Sequence, residues 1–158
     1  MRVTLSDTVW IVCPAFNEER TIAGVLTGLI AHGYRVVVVD DGSRDRTREI
    51  AEGLADAVVS HPVNRGQGAA LATGIAFALA QGSDYIVTFD SDGQHRASDI
   101  ARLIATLKST RSDYALGSRF LAGQQRVPLL RRLLLRAATI FTAFTTGLRL
   151  TDTHNGLR

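Results

Sequence analysis

The stretch that decides the fold is "RVVVVDDGSRD", Arg35 to Asp45. Four consecutive valines, Val36 to Val39, show no alternation of apolar and polar positions, so the strand they form is apolar on both faces. Strands of that kind belong to parallel sheets covered by helices on both sides. The run then ends in Asp40, Asp41 and Gly42, which is turn chemistry at the carboxyl end of the strand.

Outward from this strand, apolar runs alternate with segments of helical period. Further strands are expected at Val9 to Cys13, Ala57 to Ser60, Tyr85 to Phe89 and Tyr114 to Gly117. Helices are expected at Thr21 to Ala31, Arg46 to Leu54, Gly68 to Gln81, Ser98 to Ser109 and Leu129 to Thr146. The order βαβαβαβαβα gives an α/β fold with a mainly parallel, doubly wound sheet and helices on both faces.

A length of 158 residues fits one domain, and 46% hydrophobic with 21% charged residues is a globular rather than a disordered composition. Residues 1–120 read as the α/β core and 121–158 as a basic linker and amphipathic helix appended to it, with "LAGQQRVP" as the joint. Cys13 is the single cysteine, so no intrachain disulfide can form, and its place in "VWIVC" suits a buried side chain in a reducing cytoplasm. The short apolar run at Val9 to Cys13 is not the core of a signal peptide. Ala137 to Leu148, the longest weakly charged stretch, has 12 residues where a membrane span needs about 20.

Charge is unevenly divided. Residues 1–118 hold 11 Lys/Arg against 14 Asp/Glu, a net of −3, whereas residues 119–158 hold 7 Arg against Asp152 alone, a net of +6. A basic tail on a mildly acidic body suits phosphate groups or an anionic membrane surface. In "LLRRLLLRAATIFTAFTT", Arg132 and Arg136 are one turn apart with Arg131 beside them, and the rest of the helix is largely apolar. That helix either packs on the domain or a partner, or lies in a membrane interface with Arg at the lipid phosphates.

Ligands of an open parallel sheet bind beyond the carboxyl ends of its strands. The polar segments "PAFNEE", "DDGSRD", "HPVNRGQG", "DSDGQH" and "GSR" all follow strands and therefore share one edge. Two carboxylates about 4 Å apart repel by roughly 4 kcal/mol at an effective dielectric near 20. Asp90 and Asp92 beside Asp40 and Asp41 thus call for a cation or a proton. Extended backbone through "DSDGQ" would point Asp90, Asp92 and Gln94 to one side, a donor set of carboxylate and amide oxygens suited to Mg²⁺ or Mn²⁺. Asp92-Gly93 is equally the composition of a turn. Asn17 and Glu18 read either as a ligand contact or as the cap and first-turn acid of the following helix. Gly66 and Gly68 ease a turn, or present N–H groups to phosphate. His61, His95 and His154 lack metal-ligand spacing and are expected to be solvated loop residues.

Six motifs in order, "PAFNEE", "VVDDGSRDRT", "NRGQGAALATGI", "FDSDGQH", "LGSRF" and "DTHNGLR", resemble the family 2 glycosyltransferases of GT-A fold. The likeness is greatest to the branch that transfers sugars to polyprenyl phosphates such as dolichyl or undecaprenyl phosphate. The resemblance implies that Pro14, Ala15 and Glu18 line a nucleotide pocket and that Asp41, with Asp40 beside it, hydrogen-bonds the base or ribose. Gly66 and Gly68 would face its phosphates. It implies that Asp90 and Asp92 form a D-x-D that reaches metal and ribose, with Gln94 as a further metal ligand. Arg119 and Arg131 would hold phosphates of donor or acceptor, and Asp152 matches an acid proposed as catalytic. Family members often carry Lys where this chain has Gln67, which puts a charged phosphate contact there in doubt.

The expected function is an inverting, metal-dependent sugar transfer from a nucleotide-diphosphate sugar to a lipid phosphate at the cytoplasmic face of a membrane, without nucleic acid. Arg158 falls inside the last motif, and relatives continue beyond it with further structure. A nucleotidyltransferase is a rival, but it calls for a basic Gly-rich loop after the first strand, where "CPAFNEE" is acidic. A non-catalytic nucleotide-sugar-binding module is the other.

Overall fold

The computed structural model describes residues 7–117. In chain order they form β1 (Val9–Ala15), α1 (Ile22–Ala31), β2 (Arg35–Asp40), α2 (Thr47–Glu52), β3 (Ala57–Ser60), α3 (Gln67–Ala80), β4 (Tyr85–Thr88) and α4 (Ser98–Thr110). The strands make one parallel sheet in the order β3-β2-β1-β4. The order reverses at β1, so β1, β2 and β4 meet where a doubly wound sheet opens its crevice.

The valine run sits where its composition requires. Val36 to Val39 are all fully buried, and their side chains alternate between two apolar layers. On one face Ile11, Cys13, Val36, Val38 and Val87 pack with Ile22, Leu26 and Leu29 of α1 and with Ile100 and Ile104 of α4. On the other, Trp10, Val12 and Val37 meet α3 through Leu71, Ile75, Phe77 and Ala78. Gly74 lets α3 approach this closely, because a Cβ there would stand 2.3 Å from Val12 Cγ1.

Register places the polar segments together. Ala15 pairs with Asp40 and Asp40 with Ser60, so β1, β2 and β3 end level, and Phe16, Asp41 and His61 leave the sheet side by side. β1 runs two residues past its expected end, with Pro14 opposite Val39.

Two expectations are corrected. Tyr114 to Gly117 is not a strand: it has no ladder partner among the described residues, and Tyr114 stands 65% exposed. A four-residue segment acquires strand geometry only from a neighbour that hydrogen-bonds it. β4 ends at Thr88 rather than Phe89, and residues 91–93 turn instead of continuing extended. Gly93, at φ +76°, supplies the left-handed residue for that turn. The helix expected at Leu129 to Thr146 lies outside the described residues.

Candidate functional site

A cavity of about 440 Å³ opens at the carboxyl edge of the sheet. Pro14, Ala15, Phe16 and Glu18 from the β1 end form one wall. Asp41 after β2 and Asn64, Gly66 and Gln67 before and within α3 form the second, and Asp90, Ser91 and Asp92 after β4 the third.

The loops after β1 and β2 are stitched by side chains that the sequence shows only as polar punctuation. Asn17, in the left-handed region at φ 56°, donates its N–H to Ser43 Oγ at 3.0 Å and accepts from Arg44 N–H at 2.9 Å. Glu18 N–H donates to Thr47 Oγ1 at 2.7 Å and Glu19 N–H to Asp45 Oδ2 at 3.1 Å, while Arg46 N–H returns to Glu19 Oε2 at 3.2 Å. Asn17 and Glu18 are therefore not the cap and first-turn acid of α1; the N-cap position is Thr21, whose hydroxyl bonds to Glu18 Oε2 at 2.6 Å. Burial would raise the Asp45 carboxyl, but the Thr47 hydroxyl and N–H and the Glu19 N–H hold it below its ordinary value.

Asp41 is 3% exposed and accepts three hydrogen bonds. His61 Nδ1 and Arg65 N–H reach its Oδ1 at 2.7 and 2.9 Å, and Gly66 N–H its Oδ2 at 2.7 Å. Burial pushes this carboxyl up; the bonds from Arg65, His61 and Gly66 outweigh it and bring it below the usual range. Gly42 permits the approach: at φ +74° a Cβ on it would stand 2.8 Å from both Asn64 N and Val63 C. His61 is thus buried, not a solvated loop histidine. The Gly66 N–H is likewise engaged, with Asp41 and with Asn64 Oδ1 at 3.0 Å, rather than free for phosphate.

On the β4 side, Asp90 Oδ1 accepts from Gln67 Nε2 at 3.0 Å, and His95 Nε2 lies 3.4 Å from Oδ2. The His95 side chain is only 11% exposed and meets Phe89 edge-on, so it too is more enclosed than expected. Ser91 Oγ donates to Pro14 O at 2.9 Å and ties this loop to β1. Asp92 Oδ1 accepts the Gln94 N–H at 2.9 Å, closing an Asx turn. That turn replaces the extended alternation, and Gln94 is exposed and does not line the cavity.

Of the residues picked out in the sequence, Pro14, Ala15, Glu18, Asp41, Gly66, Asp90 and Asp92 line the cavity. Asp40 does not; it is buried and its Oδ1 accepts the Ser43 N–H at 3.2 Å. Gly68 lies in the first turn of α3, behind the lining residue Gln67. The four acids expected together are therefore divided: Asp41 is held as a carboxylate by its own donors, while Asp90 and Asp92 share the far wall. Arg119, Arg131, Asp152 and His154 lie outside the described residues. Phe16, Asn64 and Ser91 line the cavity without having been singled out. The signal for them was adjacency to the motif acids.

The charge on the far wall is felt in the core beneath it. The Cys13 thiol is pushed up to about 12 by burial first, and then by the negative charges of Asp90, Glu18 and Asp92. Among the described residues no three His, Cys, Asp or Glu side chains are arranged to hold a metal on their own. Two carboxylates beside a cavity nevertheless fit Mg²⁺ or Mn²⁺, ions that are held by one or two carboxylates completed by substrate phosphates and water.

The sequence profile described as glycosyl transferase family 2 matches residues 10–157. The chain belongs to this family. A dolichyl-phosphate N-acetylglucosaminyltransferase that uses UDP-N-acetylglucosamine, from Methanococcus voltae, is 32% identical over 95% of the chain and 68% of its own length. A polyprenol monophosphomannose synthase of Mycolicibacterium smegmatis is 30% identical over 94% of the chain and 59% of its own length. An uncharacterized protein of Methanocaldococcus jannaschii is 40% identical over 96% of the chain, which spans 64% of that relative.

Among solved structures, glucosyl-3-phosphoglycerate synthase from Mycobacterium tuberculosis, with Mn²⁺, UDP-glucose and phosphoglyceric acid, superposes with a TM-score of 0.66 at 24% identity. That match covers 96% of this chain and 55% of the synthase, and it establishes the GT-A fold of this family 2 glycosyltransferase chain. The mannosyltransferase PcManGT from Pyrobaculum calidifontis, solved with GDP-mannose and Mn²⁺, gives 0.55 at 29% identity, over 66% of this chain and 33% of its own.

Proposed function

We propose that the protein transfers a sugar from a nucleotide-diphosphate sugar to a polyprenyl phosphate, with inversion at the anomeric carbon. The observation that carries this reading is the unlike chemistry of the cavity's second and third walls. Asp41, an ionised acceptor with its carboxylate fixed by three donors, stands on one side, and the Asp90/Asp92 pair on the other. A nucleotide diphosphate has matching ends: a nucleoside with N–H and O–H donors, and an anionic diphosphate that needs a cation between itself and carboxylates.

Asp41 would hold the base or ribose beside Pro14, Ala15 and Glu18. Asp90 and Asp92 would hold a divalent ion, which when bound offsets the charge developing on the departing diphosphate. Gln67 ties Asp90 to α3 and fixes one carboxylate oxygen, leaving the other nearer His95. The relatives from Methanococcus and Mycolicibacterium, one named for transfer to dolichyl phosphate and the other for making polyprenol monophosphomannose, support a lipid phosphate acceptor. A phosphate acceptor is already ionised at neutral pH, so a strong general base is unnecessary. Asp152 would then orient the acceptor, and Arg119 and Arg131 would pair with its phosphate. The basic segment 119–158 would carry the membrane contact, at the cytoplasmic face.

The test is transfer of radiolabelled sugar from a panel of UDP-, GDP- and dTDP-sugars to undecaprenyl and dolichyl phosphate in detergent with Mn²⁺. Lipid-linked product with inverted anomeric configuration is the expected result. Donor binding without transfer to either lipid contradicts the acceptor class and leaves a nucleotide-sugar-binding module.

A further inference from the structure

His61 lies at the end of β3, is 7% exposed, and has both ring nitrogens engaged. Nδ1 is 2.7 Å from Asp41 Oδ1, and Nε2 is 2.9 Å from Thr73 Oγ1 on α3. Asp41 is ionised and can only accept, so Nδ1 carries the proton of this pair, and Nε2 faces the Thr73 hydroxyl, which can donate or accept. Threonine, histidine and aspartate in this order are the chemistry of a hydrolytic triad, but the direction is reversed. Asp41 lines the cavity, whereas neither Thr73 nor His61 does. The hydroxyl of this trio does not line the cavity, and what the relay can control is the carboxylate.

We propose that His61 is a positioning residue for nucleoside recognition: it fixes the rotation of the Asp41 carboxylate so that one acceptor site remains aimed at the ligand. The inference rests on the nucleotide reading given above. A carboxylate offers about four acceptor sites. Asp41 fills two on Oδ1, with His61 and Arg65, and one on Oδ2, with Gly66. One site on Oδ2 remains. The Arg65 and Gly66 donors come from a loop, whereas His61 is anchored at its far nitrogen to α3, itself packed on the sheet through Gly74. His61 is therefore the rigid strut that couples the carboxylate to the core, and the ligand donor it prepares for is an N–H or O–H of the base or ribose.

The pair His61→Asn and His61→Gln separates the two ring nitrogens. The Asn amide places an N–H where Nδ1 was and keeps the bond to Asp41; the longer Gln amide reaches the Nε2 position and keeps Thr73 instead. Calorimetry with UDP, GDP and inorganic pyrophosphate in Mn²⁺ reads out the consequence, because pyrophosphate has no nucleoside end. His61→Gln, which loses the bond to Asp41, is expected to lose at least tenfold in affinity for the preferred nucleotide, His61→Asn, which keeps that bond but not the anchor on Thr73, to lose about threefold to tenfold, and pyrophosphate binding to be unchanged in both. Nucleotide affinity unaltered in His61→Gln, or pyrophosphate affinity falling in parallel with it, overturns the positioning role while leaving nucleotide binding intact. If His61→Gln does not fold, Thr73→Val serves as the second variant: it frees the far nitrogen, and unchanged nucleotide affinity there overturns the strut. Wild-type protein that binds pyrophosphate but neither nucleotide overturns both this inference and the reading beneath it.

Discussion

The hydroxyl of Thr47 accepts the backbone N–H of Glu18 at 2.7 Å and itself donates to Asp45, so one fully buried side chain joins the loops that follow β1 and β2. These loops contribute to two walls of the cavity, and their relative position depends on a bond between residues 29 apart in the chain.

Thr47→Val keeps the shape and removes both bonds. It leaves the Glu18 N–H and an Asp45 oxygen without their partner, a loss of about 1–3 kcal/mol for a part-buried group. Urea denaturation is expected to show that loss, with Thr47→Ser recovering most of it. A Val variant as stable as wild type would show the stitching to be incidental.

Gly74 and Gly24 are both helical glycines with opposite expectations. A Cβ at Gly74 would overlap Val12 and touch Val39, so Gly74→Ala is expected to destabilise by about 1–3 kcal/mol. Nothing lies within 4 Å of a Cβ at Gly24 in α1, so Gly24→Ala is expected to stabilise by about 0.5–1 kcal/mol through helix propensity. Paired thermal melts check the signs.

The Asp41 carboxyl titrates lower in the folded protein than in the unfolded chain. Its contribution to stability is therefore fully present above the unfolded value, about 3.9, and disappears as pH falls through the folded one. The stability gap between wild type and Asp41→Asn is expected to narrow as pH falls below 4. A gap that widens in acid would reverse the sign of the effect.

Cys13 is fully buried with its thiol at about 12. Thiolate is the reactive form, so alkylation of the native protein at pH 8 is expected to proceed only through unfolding. The rate should follow the unfolding rate as urea is raised; fast labelling without urea would show access to β1 from the surface.

The layering of the fold was legible because the strands are valine-rich runs whose burial leaves no other arrangement, and Val36 to Val39 behave as their composition demands. The shared edge followed from strand polarity alone. What escaped the sequence is what depends on long-range partners. His61 looked like a loop histidine because nothing in "HPVN" announces Asp41, 20 residues earlier, or Thr73, 12 residues later. The segment "DSDGQ" fits a turn as well as a strand, and Gly93 with the Asx turn at Asp92 decided for the turn. Asn17 and Glu18 have the composition of a helix cap, but the β2 loop captures them first.

The central claim is that a divalent ion joins a nucleotide diphosphate to Asp90 and Asp92 in this cavity. Calorimetric titration of UDP and GDP in Mn²⁺ and in EDTA, for wild type and Asp92→Asn, tests it most directly. The account predicts binding of at least one nucleotide in Mn²⁺, weakened more than tenfold, about 1.4 kcal/mol, both by EDTA and by Asp92→Asn, with the mutant's thermal melt unchanged. Equal affinity in EDTA, or an Asp92→Asn variant that retains full metal-dependent binding, would contradict it.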